Sequence, residues 1–211
     1  MFRIKICGLT SAEDAERAVS CGADAVGLNF FRGSPRFVGE EAARRIVEAV
    51  GSRAEVVAVF VDEDPGEIAA VCGRLGIRRV QLHGREPAEA SGRIRLWRMK
   101  AVHAALPVEI DALRSYPCEA FLLDAGGPGE YGGTGKRLPW RELPSRFGTL
   151  GKPWILAGGL TPENVERAIV EAAPFGVDTA SGVESSPGRK DPDKMAAFVE
   201  NAKKGFLRAG G

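Results

Sequence analysis

The chain is predicted to be an α/β protein, a single (β/α)8 barrel of eight parallel strands with surrounding helices that takes in residues 1–211. Three features point there. Eight short apolar or β-branched runs recur along the chain, and helical patterns with apolar residues every three or four positions fall between most of them. No Gly-x-Gly-x-x-Gly follows the first run, which removes the usual dinucleotide signature of an open, doubly wound sheet. Strands alternating with helices build a parallel sheet, and eight such units close it, near the small end of the barrel's size range. One core suffices, since single cores stop growing only at roughly 250 to 300 residues.

In order, the strand runs are RIKIC (3–7), DAVGLNF (24–30), EVVAVFV (55–61), RVQLH (79–83), RIRLWRMKA (93–101), EAFLLD (119–124), PWILAG (153–158) and GVDTAS (176–181). The helical patterns are SAEDAERAVSC, GEEAARRIVEAV, DPGEIAAVCGRL, TPENVERAIVEA and DPDKMAAFVENAKKGF. Their starts are marked by Ser11, Asp64-Pro65, Thr161-Pro162 and Asp191-Pro192, capping residues followed in three cases by a proline suited to the first helical turn. The fourth unit is weak, because only REPAEASG separates two strand runs, and the prolines of LPWRELPSRF make the sixth helix poor. The stretch PGEYGGTGKRLP is too long to be a mere turn.

Composition narrows the function. Hydrophobic residues at 44% and charged residues at 27% are ordinary for a globular chain and argue against disorder. With 29 Lys+Arg against 28 Asp+Glu, no broad field is implied for a nucleic-acid backbone or an anionic bilayer, so a small-molecule partner is expected. No apolar run approaches the roughly 20 residues of a membrane span, and MFRIK does not open a secretory signal; a cytoplasmic location is expected. Cys7, Cys21, Cys72 and Cys118 form no C-x-x-C pair, and His83 and His103 are the only histidines, so no metal site is predicted and the thiols are expected to be reduced. Amphipathic helices do not by themselves choose between monomer and homodimer.

In such a barrel the reactive groups stand at the carboxyl ends of the strands. Those ends read Cys7-Gly8, Asn29-Phe30, Val61-Asp62, Gln81 to His83, Lys100, Asp124, Ala157-Gly158-Gly159 and Ser181-Gly182. Glycines in LAGGLTPENV and TASGVESSPG let backbone N–H groups close on an anion, so Gly158, Gly159, Ser181 and Gly182 read as a phosphate cup, against the plainer reading of tight turns. Cys7 at a strand exit could serve as base or nucleophile if its surroundings favour the thiolate; the other three cysteines read as inert. Asp124 stands beside a glycine loop where a partly dry mouth would raise its pKa and keep it protonated as an acid. Asp178 either pushes it further by like-charge repulsion or pairs with a buried lysine such as Lys5. Arg36 is either a solvated loop residue or the contact for a carboxylate. His83 either packs against substrate or is a hydrogen-bonded strand-end residue.

KICGLT (5–10), GLNF with SPR (27–30, 34–36), QLHG (81–84), LLD with GGTG (122–124, 132–135), LAGGL-x-P-x-NV (156–165) and D-x-x-SGVESSPG-x-KD (178–191) together resemble the phosphoribosylanthranilate isomerase family of tryptophan biosynthesis, in order and over essentially the whole chain. The resemblance implies a (β/α)8 barrel and a cofactor-free Amadori rearrangement of N-(5-phosphoribosyl)anthranilate. It also implies that Cys7 is the general base, Asp124 the general acid, Arg36 the contact for the anthranilate carboxylate, and that the loops at Gly158-Gly159 and Ser181-Gly182 hold phosphate. Ala125 departs from the pattern in supplying no hydroxyl beside the acid. Three rivals are a histidine-pathway phosphoribosyl isomerase, which would need a second phosphate cup, a lyase with a Schiff base on Lys100 or Lys5, and a non-catalytic barrel that binds a phosphorylated ligand.

Overall fold

The computed structural model describes residues 1–105, 107–126 and 138–210. The predicted long loop from 128 to 139 and its GGTG stretch fall almost wholly outside the described residues. Eight strands, β1 (Ile4–Cys7), β2 (Ala25–Asn29), β3 (Glu55–Phe60), β4 (Arg79–Leu82), β5 (Trp97–His103), β6 (Ala120–Asp124), β7 (Trp154–Leu156) and β8 (Gly176–Thr179), pair in chain order. Every pairing is parallel, and β8 returns to β1 to close the barrel.

Strands buried on both faces can be apolar throughout, and these nearly are. One cluster fills the barrel interior, among it Ala25, Val57, Met99, Leu122 and Ile155. A larger one, including Ile6, Leu28, Ile46, Phe121, Phe147 and Phe198, lies between strands and helices. Side chains alternate across each strand, so residues two apart on β1, on β6 and at the exit of β4 share the inner face: Lys5 with Cys7, Leu122 with Asp124, and Gln81 with His83 just beyond β4.

The helices are α1 (Ala12–Cys21), α2 (Glu40–Val50), α3 (Pro65–Leu75), α4 (Ala88–Arg93), α5 (Ile110–Ser115), α6 (Leu143–Phe147), α7 (Val165–Ala172) and α8 (Pro192–Ala209). Ser11 accepts from the Asp14 N–H at 3.2 Å, Asp64 from Gly66 at 2.7 Å, and Asp191 from Asp193 and Lys194 at 3.0 and 3.1 Å, as their spacing predicts. α4 is one and a half turns long, and α6 follows a short 3-10 turn at Trp140–Glu142, so both weak units are weak. Among the described residues no helix is long and apolar enough to cross a membrane.

Three boundaries differ from the sequence reading. β5 begins at Trp97 rather than at residue 93, because α4 extends to Arg93, and it ends at His103. Lys100 is therefore inside a strand rather than at its end. α7 begins at Val165 rather than Thr161, because Asn164 folds back: its Oδ1 accepts from the Thr161 N–H and its Nδ2 donates to the Gly159 carbonyl, both at 2.9 Å. Ser181 lies beyond β8, in a 3-10 turn (Ser181–Val183) that leads into a small antiparallel pair, β9 (Glu184–Ser186) and β10 (Arg189–Lys190). The sequence reading contained neither this hairpin nor α5.

Asp191 satisfies two N–H groups at the head of the longest helix. Its replacement by alanine is expected to cost about 1 kcal/mol, read as a lower urea midpoint with an unchanged slope; no change in midpoint would show that the cap is redundant.

Candidate active site

The strand exits open into one cavity, and all nine residues singled out from the sequence line it: Cys7, Arg36, His83, Asp124, Gly158, Gly159, Asp178, Ser181 and Gly182. The shared inner face of the strands brings them there. In the register, Cys7 stands beside Gly27 of β2, and Asp124 beside His103 of β5.

Cys7 rests on a buried lysine. Lys5 has no exposed surface, and its ammonium lies 2.8 Å from Asp178 Oδ1 and acts on the Cys7 sulfur two residues along its own strand. Burial, the largest influence, lowers the lysine's pKa, but Asp178 and Cys7 together leave it raised. Asp178 therefore takes the lysine-pairing role and not that of a repulsive neighbour of Asp124. Gly27 makes the arrangement possible, since a Cβ there would lie 2.6 Å from Cys7 Sγ and 3.0 Å from Lys5 Nζ.

The thiol is not a resting thiolate. Burial pushes the Cys7 pKa up, Lys5 pulls it back, Asp178 pushes it up again, and the net direction is upward. The upward direction prevails because the cysteine is nearly enclosed and Asp178 offsets part of the lysine's field. Cys72 and Cys118 are pushed up by burial to about 12 and about 11, in keeping with inert roles, and all four cysteines are free.

Asp124 is corrected in the opposite sense. Burial raises its pKa, but His83 Nε2, 3.5 Å from Oδ2, the Gly126 N–H, 3.0 Å from Oδ1, and nearby His103 outweigh it, so the carboxyl is held below the ordinary range and is ionised. His83 is both a cavity wall and a hydrogen-bonded strand-end residue, with Gln81 Nε2 2.7 Å from its Nδ1. His103 Nδ1 lies 2.8 Å from the Gly126 carbonyl, which can only accept, so that nitrogen carries a hydrogen. The Gly126 peptide takes the place of the missing hydroxyl at Ala125 in orienting the acid.

Arg36 is buried rather than solvated. Its Nε and Nη2 donate to the two oxygens of Glu184, each at 2.8 Å, and Glu184 also accepts from Lys190 at 2.8 Å. The side edge of the guanidinium is thus occupied, and its end edge, Nη1 with the second Nη2 hydrogen, is the part left for a ligand carboxylate. Burial, set against Arg36 and Lys190, leaves Glu184 with a lowered pKa.

After β7, Gly158 and Gly159 have φ of 80° and 65°, conformations that favour glycine. A side chain at Gly158 would also collide with Ala125 N and lie 2.8 Å from Asp124 Oδ1, so this glycine serves both the cup and the acid. Lys100, paired with Glu86 at 2.7 Å and the Gly84 carbonyl at 2.6 Å, is not among the cavity-lining residues, and neither is Lys5, which removes the Schiff-base reading.

A family model described as N-(5'phosphoribosyl)anthranilate (PRA) isomerase matches residues 4–201. The N-(5'-phosphoribosyl)anthranilate isomerase of Geobacter sp. (strain M21) is 45% identical over 204 residues, 97% of this chain and 99% of that protein. The crystal structure of phosphoribosyl anthranilate isomerase from Thermus thermophilus superposes with a TM-score of 0.86 at 36% identity, covering 95% of this chain and 98% of the other. A phosphoribosyl anthranilate isomerase in complex with reduced 1-(o-carboxyphenylamino)-1-deoxyribulose 5-phosphate gives a TM-score of 0.81 at 39% identity, covering 96% and 99%.

The Lys5, Asp178 and Cys7 contacts predict opposite effects of two variants. Asp178→Asn strands a buried ammonium and is expected to cost about 3 kcal/mol, yet it removes a negative neighbour and so quickens alkylation of Cys7 by iodoacetamide. Lys5→Met is expected to slow that alkylation. Following the mass of the Cys7 peptide at pH 8 distinguishes the two; equal rates would mean that neither charge acts on the sulfur.

Proposed function

The chain belongs to the N-(5'-phosphoribosyl)anthranilate isomerase family, and on that premise we propose that Cys7 is the base and Asp124 the acid of its reaction. The protein is an isomerase of tryptophan biosynthesis. It converts N-(5-phosphoribosyl)anthranilate, an aldose derivative, into the ketose 1-(2-carboxyphenylamino)-1-deoxyribulose 5-phosphate by an Amadori rearrangement. That sets aside the histidine-pathway and non-catalytic readings. We take residues 1–211 as one domain and its location as cytoplasmic.

The observation that carries the residue assignment is that Cys7 and Asp124 line the same cavity, between the glycine rim and Arg36. In this reading the loops at Gly158-Gly159 and Ser181-Gly182 hold the phosphate, and the end edge of Arg36 takes the anthranilate carboxylate. Glu184 and Lys190 fix the guanidinium plane. Asp124 delivers a proton to the furanose oxygen as the C1′–O bond breaks, leaving a protonated imine that acidifies C2′. The Cys7 sulfur removes the C2′ proton and gives the enolamine. A proton on to C1′ and one off the 2′-hydroxyl then give the ketone.

The resting protonation is the reverse of what the first steps use, a neutral thiol and an ionised carboxylate. The number of protons is nevertheless right. Transfer of one proton from Cys7 to the acid side arms both groups, with Lys5 stabilising the thiolate. The sign follows from the two directions: the acid side has the lower pKa and the thiol the higher. The acid limb of the kcat/KM profile then belongs to Asp124 and its partners, and the alkaline limb to Cys7.

A fluorescence assay of substrate loss tests the assignment. Cys7→Ser and Asp124→Asn are each expected to lower kcat by about 10² to 10⁴ with the fold and product binding kept. Arg36→Met is expected chiefly to raise KM, roughly tenfold or more, by the loss of a charge-assisted hydrogen bond. Parental turnover in Cys7→Ser would remove the proposed base.

A further inference from the structure

Asp124 is met from β4 by the His83 ring, and that ring is held in turn by Gln81, which has 1% of its surface exposed. Gln81 Nε2 lies 2.7 Å from His83 Nδ1. An amide nitrogen only donates, so Nδ1 accepts and the hydrogen of the neutral ring sits on Nε2, toward Asp124. This leaves Gln81 Oε1 buried with no hydrogen-bond partner, one of two such side-chain atoms among the described residues. An orphaned buried acceptor is costly, and its position beside an imidazole suggests a second use.

We propose that Gln81 is a positioning residue whose amide turns over to match the charge of His83, so that the ring stores the proton that Asp124 delivers. With the amide as it stands, Nε2–H serves a neutral ring. When the ring takes up the proton that the Cys7 thiol releases, Nδ1 becomes a donor, and a half-turn of the amide places Oε1 to accept from it. The Nε2 proton then passes to Asp124 Oδ2, the ring stays neutral with its hydrogen on Nδ1, and the carboxyl gives that proton to the furanose oxygen. No proton is created or lost in the cycle. The inference rests on the assignment of Cys7 and Asp124 made above.

The two directions favour a store other than the carboxyl. A carboxyl held below its ordinary range, set against a thiol pushed above its own, leaves very few molecules with the proton on the carboxyl and the charge on the sulfur. The His83 ring, with Nε2 3.5 Å from Asp124 Oδ2, can carry a hydrogen on either nitrogen or on both. The other ionisable groups around the ring are already engaged. His103 on β5 is tied to the Gly126 carbonyl, and Asp62 after β3 accepts from the Arg85 N–H at 2.5 Å. Lys100 and Glu86 pair with each other behind Gly84, and across the cavity Cys7 sits on the Lys5–Asp178 pair.

The test is the pH profile of kcat/KM in Gln81→Leu and Gln81→Glu. Below the acid limb both catalytic groups are protonated, so the armed fraction depends on the thiol alone. On the plateau it depends on the difference between the two pKa values. Gln81→Leu removes the acceptor for Nδ1–H, and its plateau is expected to fall roughly tenfold while the acid limb moves about one pH unit lower and the low-pH branches coincide. Gln81→Glu keeps an acceptor on Nδ1 and is expected to move the acid limb to higher pH; it answers the question even if the leucine variant does not fold. An equal loss at every pH, or an unmoved acid limb in both variants, overturns the proposal. Failure of the Cys7 and Asp124 assignment would be seen separately, as turnover persisting in Cys7→Ser.

Discussion

A lysine ammonium with no exposed surface lies beneath the cavity, and the arrangement of the catalytic wall follows from its charge. An unpaired buried ammonium is costly, so it must be paired. Asp178 supplies the pairing at 2.8 Å from the adjoining strand, and Cys7 completes the lysine's surroundings from two residues along its own strand. The division of that field explains the thiol. Enough positive charge remains to make a thiolate reachable, while burial and Asp178 keep the resting group neutral. Gly27 is the steric counterpart of this electrostatic constraint, because any side chain there would occupy the space of both the sulfur and the ammonium.

Across the cavity the balance is opposite. Asp124 is buried, yet His83 on one oxygen and the Gly126 N–H on the other hold it ionised, with His103 bonded to the carbonyl of the same Gly126 residue. The two sides hold the correct number of protons in the wrong places. A nucleophilic sulfur kept neutral at rest is also protected from oxidation and alkylation, since the thiolate is the reactive form. Arg36 and its Glu184–Lys190 support lie outside this exchange and serve orientation.

Much of the barrel was legible because its signals are local: apolar runs of strand length, capping residues such as Ser11 and Asp191, and glycine-bearing strand ends. The nine candidate residues converge because a parallel barrel brings all its strand exits to one mouth. What escaped is non-local. Glu184 meets Arg36 across 148 positions, and no pattern near either residue announces the pair. The protonation states of Cys7 and Asp124 depend in part on partners from other strands, Asp178 for the thiol and His83 for the carboxyl, so position at a mouth alone does not fix either. The start of β5 differs because RIRL alternates charged and apolar residues as a half-buried strand does, although its first residue still belongs to α4. Lys5 beneath Cys7 and Gln81 beneath His83 carried a usable signal, the two-residue period that puts both members of each pair on the inner face.

The reversed resting protonation is tested most directly by titrating the Cys7 thiolate in the free enzyme, as the ultraviolet absorbance lost in Cys7→Ser, alongside the pH profile of kcat/KM. The account predicts that the thiolate appears with the alkaline limb of the profile. A thiolate that appears with the acid limb, fully formed across the plateau, would contradict it.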